Sequence, residues 1–355
     1  MSKHRLRNNS KLDLLKGMQM EGPLRYRQLR NCANRRNIRI RHLRNRFNPL
    51  QEYHNEDFRS RFRLRKDSVI ERKKFGEGSS TSNKERTAAN TNAASAYCFE
   101  ILCHRNFNFQ RVIGDIFGVS AFATFAFAAK QRAQFLSFPE NRADTKRKFY
   151  DVVHFPGVIG ATDCAHIKTI CPNKENAMAF VNRKRFYSIN VQAFCDCAFI
   201  TNIVACWPGS THDSCIFENS KIADKLRDGA IDGILVGDSR YACRAYLTTP
   251  ILKSKNAGEV RYNTAHRRTR CVIERCFGLL KRRFPCLHLG LRTALANTLV
   301  IIVATAVLHN FVLVHREQDF DEDFENEDVS FDVVAAADSS GNAKRQLIIS
   351  RHFVW

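Results

Sequence analysis

The run Gly157-Val-Ile-Gly-Ala-Thr-Asp163-Cys-Ala-His166 decides the fold class, because it sets an acid inside a stretch apolar enough to be a buried strand. A carboxylate placed there costs stability unless something pairs with it. One such residue is most often a satisfied structural aspartate. The pattern recurs, however, in Gly233-Ile-Leu-Val-Gly-Asp238, a second apolar run that ends on an acid at a polar turn. A third acid stands in Arg270-Cys-Val-Ile-Glu274-Arg-Cys-Phe-Gly-Leu-Leu-Lys-Arg-Arg283, which reads as an amphipathic helix. There Val272, Cys276, Leu279, Leu280 and Arg283 fall near one face and leave Glu274 near its edge.

Working outward, short apolar runs bounded by Gly, Pro or Asn predict strands over 158–170, 188–194, 199–207 and 233–236. Helical patterns follow over 271–284 and 297–314. Strands first and helices later indicate an α/β or α+β domain. Two strand acids and a helical Glu form a hard-oxygen set suited to Mg²⁺ or Mn²⁺. Phosphodiester cleavage develops charge on both the attacking and the departing oxygen. Two divalent ions about 3.5–4 Å apart can clamp both, and carboxylates hold such ions while leaving positions for water and substrate.

Composition agrees with a polyanionic partner. The chain has 355 residues and 57 Lys plus Arg against 35 Asp plus Glu, for a formal net charge of +22. Nucleic acid is the first candidate and an acidic membrane the second. With 44% hydrophobic residues, wholesale disorder is excluded. The longest apolar run, 299–308, has only ten residues and reads as a buried helix, so no membrane partner is expected. The charged start does not read as a signal peptide. Thirteen cysteines without a Cys-x-x-Cys pair point to reduced thiols rather than disulfides or zinc. His166, His212, His266 and His309 likewise lack zinc-ligand spacing with cysteines.

The charge is unevenly placed. Nine arginines lie between 24 and 48, and eight acids without a base lie between 317 and 328. Both read as tails, the first as a phosphate-binding or nuclear-import arm. Five regions are expected: a basic Arg-rich region over 1–75, a polar linker over 76–96, a helical segment over 97–150, a catalytic domain over 155–316 and an acidic tail over 317–355. Within the third, Phe109 to Ser120 outlines a helix-turn-helix with a turn at Gly118.

Gly-Ala-Thr-Asp163-Cys-Ala-His-Ile, Trp207-Pro-Gly-Ser-Thr-His-Asp213, Gly237-Asp238-Ser239 with Tyr246-Leu-Thr-Thr-Pro250, and Val272-Ile-Glu274-Arg-Cys-Phe-Gly-Leu-Leu-Lys-Arg-Arg-Phe284 together resemble the PIF/Harbinger transposase family, which includes Harbinger transposase-derived nucleases. Tyr187-Ser-Ile-Asn-Val-Gln192, Arg261-Tyr-Asn263 and Leu308-His-Asn310 fit in the same order. The resemblance runs from about 155 to about 316.

It implies an α/β, ribonuclease-H-like DDE catalytic core, preceded by a mostly helical N-terminal region with a degenerate helix-turn-helix. The implied catalytic and metal-binding residues are Asp163, Asp238 and Glu274, with Mg²⁺ or Mn²⁺ as cofactor and DNA as substrate. Asp213 also matches a family acid. Two roles are open for it, an auxiliary ligand or a cap after Pro208-Gly209, the structural one ahead. Arg268, Arg270, Arg275, Lys281, Arg282 and Arg283, around Glu274, are candidate DNA contacts.

Two departures stand out. The segment after the helix-turn-helix, 121–129, carries three Phe and one hydroxyl, which suits a core better than base-edge reading. The position two after Asp238, often small in the family, is Arg240, whose guanidinium could pair with the carboxylate and compete with metal or could bind the substrate phosphate. A metal-dependent, transposase-derived DNA endonuclease is therefore the leading expectation. The alternative is a domesticated or decaying transposase that binds DNA or a protein without cleaving. A location in the nucleus and also the cytoplasm, a separate Myb-like DNA-binding partner and homo-oligomers on DNA are further expectations that go with the resemblance.

Overall fold

A computed structural model of the chain describes residues 53–62, 66–67, 135–138, 142–172, 175–197, 199–314 and 338–354. The Arg-rich arm, the 76–96 linker, the helix-turn-helix outline, the 121–129 segment and the acidic run at 317–328 lie outside the described residues. A short helix, α1 (Asn55–Phe62), precedes the domain proper.

The elements follow in the order α2 (Arg142–Val153), β1 (Val158–Lys168), α3 (Ala177–Phe180), β2 (Ser188–Cys195), β3 (Ile200–Pro208), α4 (Asp213–Glu218), α5 (Lys221–Arg227), β4 (Ile234–Val236), β5 (Leu247–Thr248), α6 (Ala257–Arg283), α7 (Pro285–Leu289), α8 (Leu295–Val314) and α9 (Ser339–His352). The five strands form one mixed sheet in the order β3-β2-β1-β4-β5. β1, β2 and β3 pair antiparallel as a meander, whereas β4 and β5 run parallel to β1. A parallel neighbour needs a crossover, and α4 and α5 supply it between β3 and β4. This topology fits a ribonuclease-H-like core.

The predicted strands over 158–170, 188–194, 199–207 and 233–236 correspond to β1 to β4. β2 is buried at every residue, as expected of a strand covered on both faces. Its even positions face α4 and the loop after β4: Asn190 bonds Asp213, Gln192 bonds Tyr241, and Phe194 packs on Phe217. Alternation turns the odd positions the other way, where Cys195 meets Cys276 of α6.

On the first face Ile159, Phe194, Leu235 and Leu247 pack with Phe217, Ile222, Ala223 and Leu226. Burying each Ile, Leu or Phe side chain among them contributes about 1.5–3 kcal/mol. The second face carries α6 on β1 and β2, α2 on β1, and α8 on β3.

α6 has 27 residues, so it is longer than the helix predicted over 271–284. Its start is fixed by Asn256, whose side chain accepts the Glu259 N–H at 2.9 Å. Lys281, Arg282 and Arg283 close it, a favourable sign at a helix C-terminus. α8 contains the 299–308 apolar run. It is long and apolar enough to cross a membrane, yet most of it is buried against α6 and β3. Part of the range expected as a C-terminal tail, 338–354, instead folds back as α9 onto α6 and β5. There Arg261 donates to the Phe353 carbonyl at 2.9 Å, and Phe155, Tyr262 and Phe353 pack their rings together.

Candidate active site

The parallel register places the two strand acids together. Ala161 pairs with Val236, and two residues further along the chain stand Asp163, still within β1, and Asp238, just past the end of β4. Gly237 keeps this crossing tight, since a Cβ there would come 2.9 Å from the Tyr241 ring and 3.2 Å from Leu247.

The third acid in the cluster is Asp213, not Glu274. Oxygen atoms of Asp163, Asp213 and Asp238 all lie within 4.8 Å of one another. Asp213 opens α4 after the turn at Pro208-Gly209, and a Cβ on Gly209 would meet the Phe180 carbonyl at 2.6 Å. The cap of α4 is His212, whose ring accepts the Ser214 N–H. Asp213 is therefore free of the capping duty expected for it. It is 4% exposed and held by Asn190, whose Nδ2 donates to its Oδ1 at 2.8 Å and to the Thr211 carbonyl at 2.9 Å.

Two guanidiniums thread the acids. Arg240 Nη1 donates to Asp213 Oδ2 at 3.1 Å, and its Nε lies 3.6 Å from Asp238 Oδ2. Of the two roles open for Arg240 from sequence, the structure shows the carboxylate pairing. Arg270, on α6, places Nη2 2.5 Å from Glu274 Oε1 and Nη1 3.5 Å from Asp163 Oδ2. Glu274 thus joins the aspartates through Arg270 rather than directly.

Burial pushes the Asp163 carboxyl up to about 7, reinforced by the nearby Asp238 charge and only partly offset by Arg270 and the Cys164 N–H. Burial likewise raises Asp238, against the opposing effects of the Arg240 N–H and guanidinium. Two acids raised by burial in one cluster are a feature of functional sites. The donors are all hard oxygens, they converge, and they are held by neighbours, so the residues fit a divalent ion of the Mg²⁺ or Mn²⁺ kind.

Of the candidate DNA contacts, Arg268, Arg275 and Arg282 are exposed and Lys281 is half-buried. Arg270 and Arg283, grouped with them from sequence, are buried instead. Arg270 serves the acids, and Arg283 Nη1 lies 3.0 Å from His309 Nδ1. His166 meets Ser188, and His266 lies 3.1 Å from the Thr248 carbonyl.

Sequence reasoning assigned no role to Asn190, Gln192 or Tyr241. Gln192 donates to the Tyr241 hydroxyl at 3.1 Å, and that hydroxyl lies 3.3 Å from Sγ of Cys164, the residue after Asp163. The available signal was two amides at alternate positions of an otherwise apolar strand.

Residues 162–310 match the family model described as DDE superfamily endonuclease. A Mus musculus protein named "Putative nuclease HARBI1" is 37% identical over 224 residues, covering 59% of this chain and 64% of the relative. Its Homo sapiens counterpart is 36% identical over the same coverage. An Arabidopsis thaliana protein named "Protein ALP1-like" is 25% identical over 236 residues, covering 59% of this chain and 58% of that protein. The chain thus spans under two thirds of the length of these relatives. No solved structure matches. The matched range encloses all four acids and both guanidiniums. Over residues 162–310 the chain is thus similar to the DDE superfamily endonucleases, and the comparisons support the PIF/Harbinger resemblance that its motifs carry.

Proposed function

We propose that this protein is a divalent-metal-dependent DNA endonuclease that uses Asp163, Asp238 and Glu274 for phosphodiester hydrolysis, with Asp213 as an additional ligand. The observation that carries this reading is the convergence of Asp163, Asp213 and Asp238 within 4.8 Å at one end of a ribonuclease-H-like sheet. When bound, the ion supplies Lewis-acid stabilisation of phosphate oxygens and an activated water.

The chain's own residues do the rest. Asp163, in β1, and Asp238, just past the end of the neighbouring parallel strand β4, would hold the cation, and Asn190 fixes Asp213 beside them. Glu274 stands 35% exposed at the rim, where release from Arg270 would turn it toward the aspartates or toward water. The exposed Arg268, Arg275 and Arg282 on the same helix attract the DNA backbone. A nuclear location and, by descent, a Myb-like DNA-binding partner and self-association on DNA belong to the same proposal.

One observation favours a second reading, a protein that binds DNA without cutting it. Arg240 and Arg270 already neutralise part of the acidic set. Calorimetric titration with Mn²⁺ separates the two. A saturable signal that Asp163→Asn removes supports the nuclease; DNA binding with no Mn²⁺ signal supports the binder.

A further inference from the structure

Arg240 occupies the position a cation would take between two of the aspartates. Its guanidinium reaches Asp213 Oδ2 at 3.1 Å and Asp238 Oδ2 at 3.6 Å, and its own backbone N–H donates to Asp238 Oδ1 at 2.9 Å. The backbone contact makes the placement a property of the turn after β4, not of a roaming side chain. The side chain is 28% exposed while its partners are 5% and 9% exposed, so the charge enters the cluster from the solvent side.

The charges around the cluster have a definite balance. Asp163, Asp213, Asp238 and Glu274 face the guanidiniums of Arg240 and Arg270. Four carboxylates against two guanidiniums leave two negative charges when all are ionised, which one divalent ion cancels. A second divalent ion would leave the same buried site with excess positive charge, and charge held away from water without a partner is strongly disfavoured.

We propose that Arg240 is a tethered cation that stands in for one divalent ion, so that this chain binds a single Mg²⁺ or Mn²⁺ where a DDE site is expected to bind two. The inference rests on the metal-site reading above and goes beyond it by fixing the number of ions and the residue that sets it. The division of labour follows from the chemistry of each cation. A guanidinium offers fixed N–H donors to developing charge on a phosphate oxygen, as an arginine clamp does. It has no coordination sphere and cannot acidify a water. Asp163 with Asp238 or Asp213 would hold the single ion, which would supply that second function.

The test is the stoichiometry of Mn²⁺, read by titration calorimetry and by the electron paramagnetic resonance signal of unbound Mn²⁺. Wild type is expected to bind one ion per chain. Arg240→Gly is expected to bind two, the first about tenfold tighter than in wild type, a difference of about 1.4 kcal/mol. Arg183→Ala removes a charge from the same neighbourhood, since His166 feels both Arg183 and Arg240, and it is expected to stay at one ion. If Arg240→Gly unfolds without metal, Arg240→Lys keeps the charge without the fork; one ion bound more tightly than in wild type is the expected result. Two ions on wild type overturn the proposal, as does one ion of unchanged affinity on Arg240→Gly or, where Lys is used, on Arg240→Lys. Absence of Mn²⁺ binding in every variant removes the metal site itself and the proposal with it.

Discussion

Arg270 Nη2 lies 2.5 Å from Glu274 Oε1, one helical turn away on α6, while its Nη1 reaches Asp163 Oδ2 at 3.5 Å on β1. The expected third member of the catalytic set is thus held to the first by a buried guanidinium. Arg270→Gln leaves Asp163 and Glu274 without that partner. The metal-free protein is expected to lose about 1–3 kcal/mol, the usual cost of a lost hydrogen bond to a charged group. Mn²⁺ is expected to restore most of the loss, which thermal denaturation with and without the ion measures. Equal stability of the variant and wild type in the absence of metal would show that the pair contributes little.

Asp213 is expected to behave as a ligand. Asp213→Asn keeps the shape of the side chain but removes its charge, and should weaken Mn²⁺ binding by about tenfold or more, the lower range for residues around metal sites. Asn190→Ala frees the Asp213 carboxylate and should weaken binding in the same direction by a smaller factor. Unchanged Mn²⁺ affinity in Asp213→Asn would return this residue to a purely structural role.

The basic residues of α6 divide into two classes with different signatures. Arg268→Ala combined with Arg275→Ala should weaken DNA binding and reduce the salt dependence, by about 0.9 in the logarithmic slope for each phosphate that is no longer neutralised. Arg283 is 4% exposed beside His309, so Arg283→Ala should lower the unfolding midpoint and leave the salt slope of the folded fraction unchanged. Fluorescence anisotropy at several salt concentrations reads the first effect and chemical denaturation the second.

Acid should weaken the fold through His266. Burial pushes its pKa down to about 3, below the ordinary 6.5, although the Thr248 carbonyl opposes the shift. The unfolded chain therefore takes up a proton between those values while the folded chain does not. Stability is full above pH 6.5 and falls as pH drops, by about 1.4 kcal/mol per unit once well below 6.5. His266→Gln should be less stable at pH 7.5 yet show a shallower decline to pH 5.5 in urea titrations. An identical slope in both proteins would assign the acid sensitivity elsewhere.

Much of the sheet could be read in advance, because β1 to β4 are short, largely apolar runs separated by polar or turn-forming residues. β5 could not, since Leu247–Thr248 is too short to show a period. The first half of α6 was hidden by polar residues such as Arg261, Asn263 and Arg267. Its buried stripe of Tyr262, Ala265, His266 and Thr269 emerges only against Phe155, Phe353 and Thr248.

The site divides in the same way. Asp163 announces itself as an acid inside a buried strand, and Asp238 as one that ends an apolar run. Asp213 looks like a turn residue until the chain path brings α4 back to β2, and Asn190 then fixes it. Arg270 and Arg283 sit in a basic run that reads as a set of DNA contacts, and only the packed structure shows that each is buried against a partner.

Cleavage tests the central claim most directly. Purified protein incubated with supercoiled plasmid DNA should convert it to nicked or linear product with Mg²⁺ or Mn²⁺ and not with chelator. Asp163→Asn, folded by circular dichroism and still able to bind DNA, should leave the plasmid supercoiled. Equal cleavage by Asp163→Asn, or cleavage that persists in chelator, would contradict a metal-dependent site built on this residue.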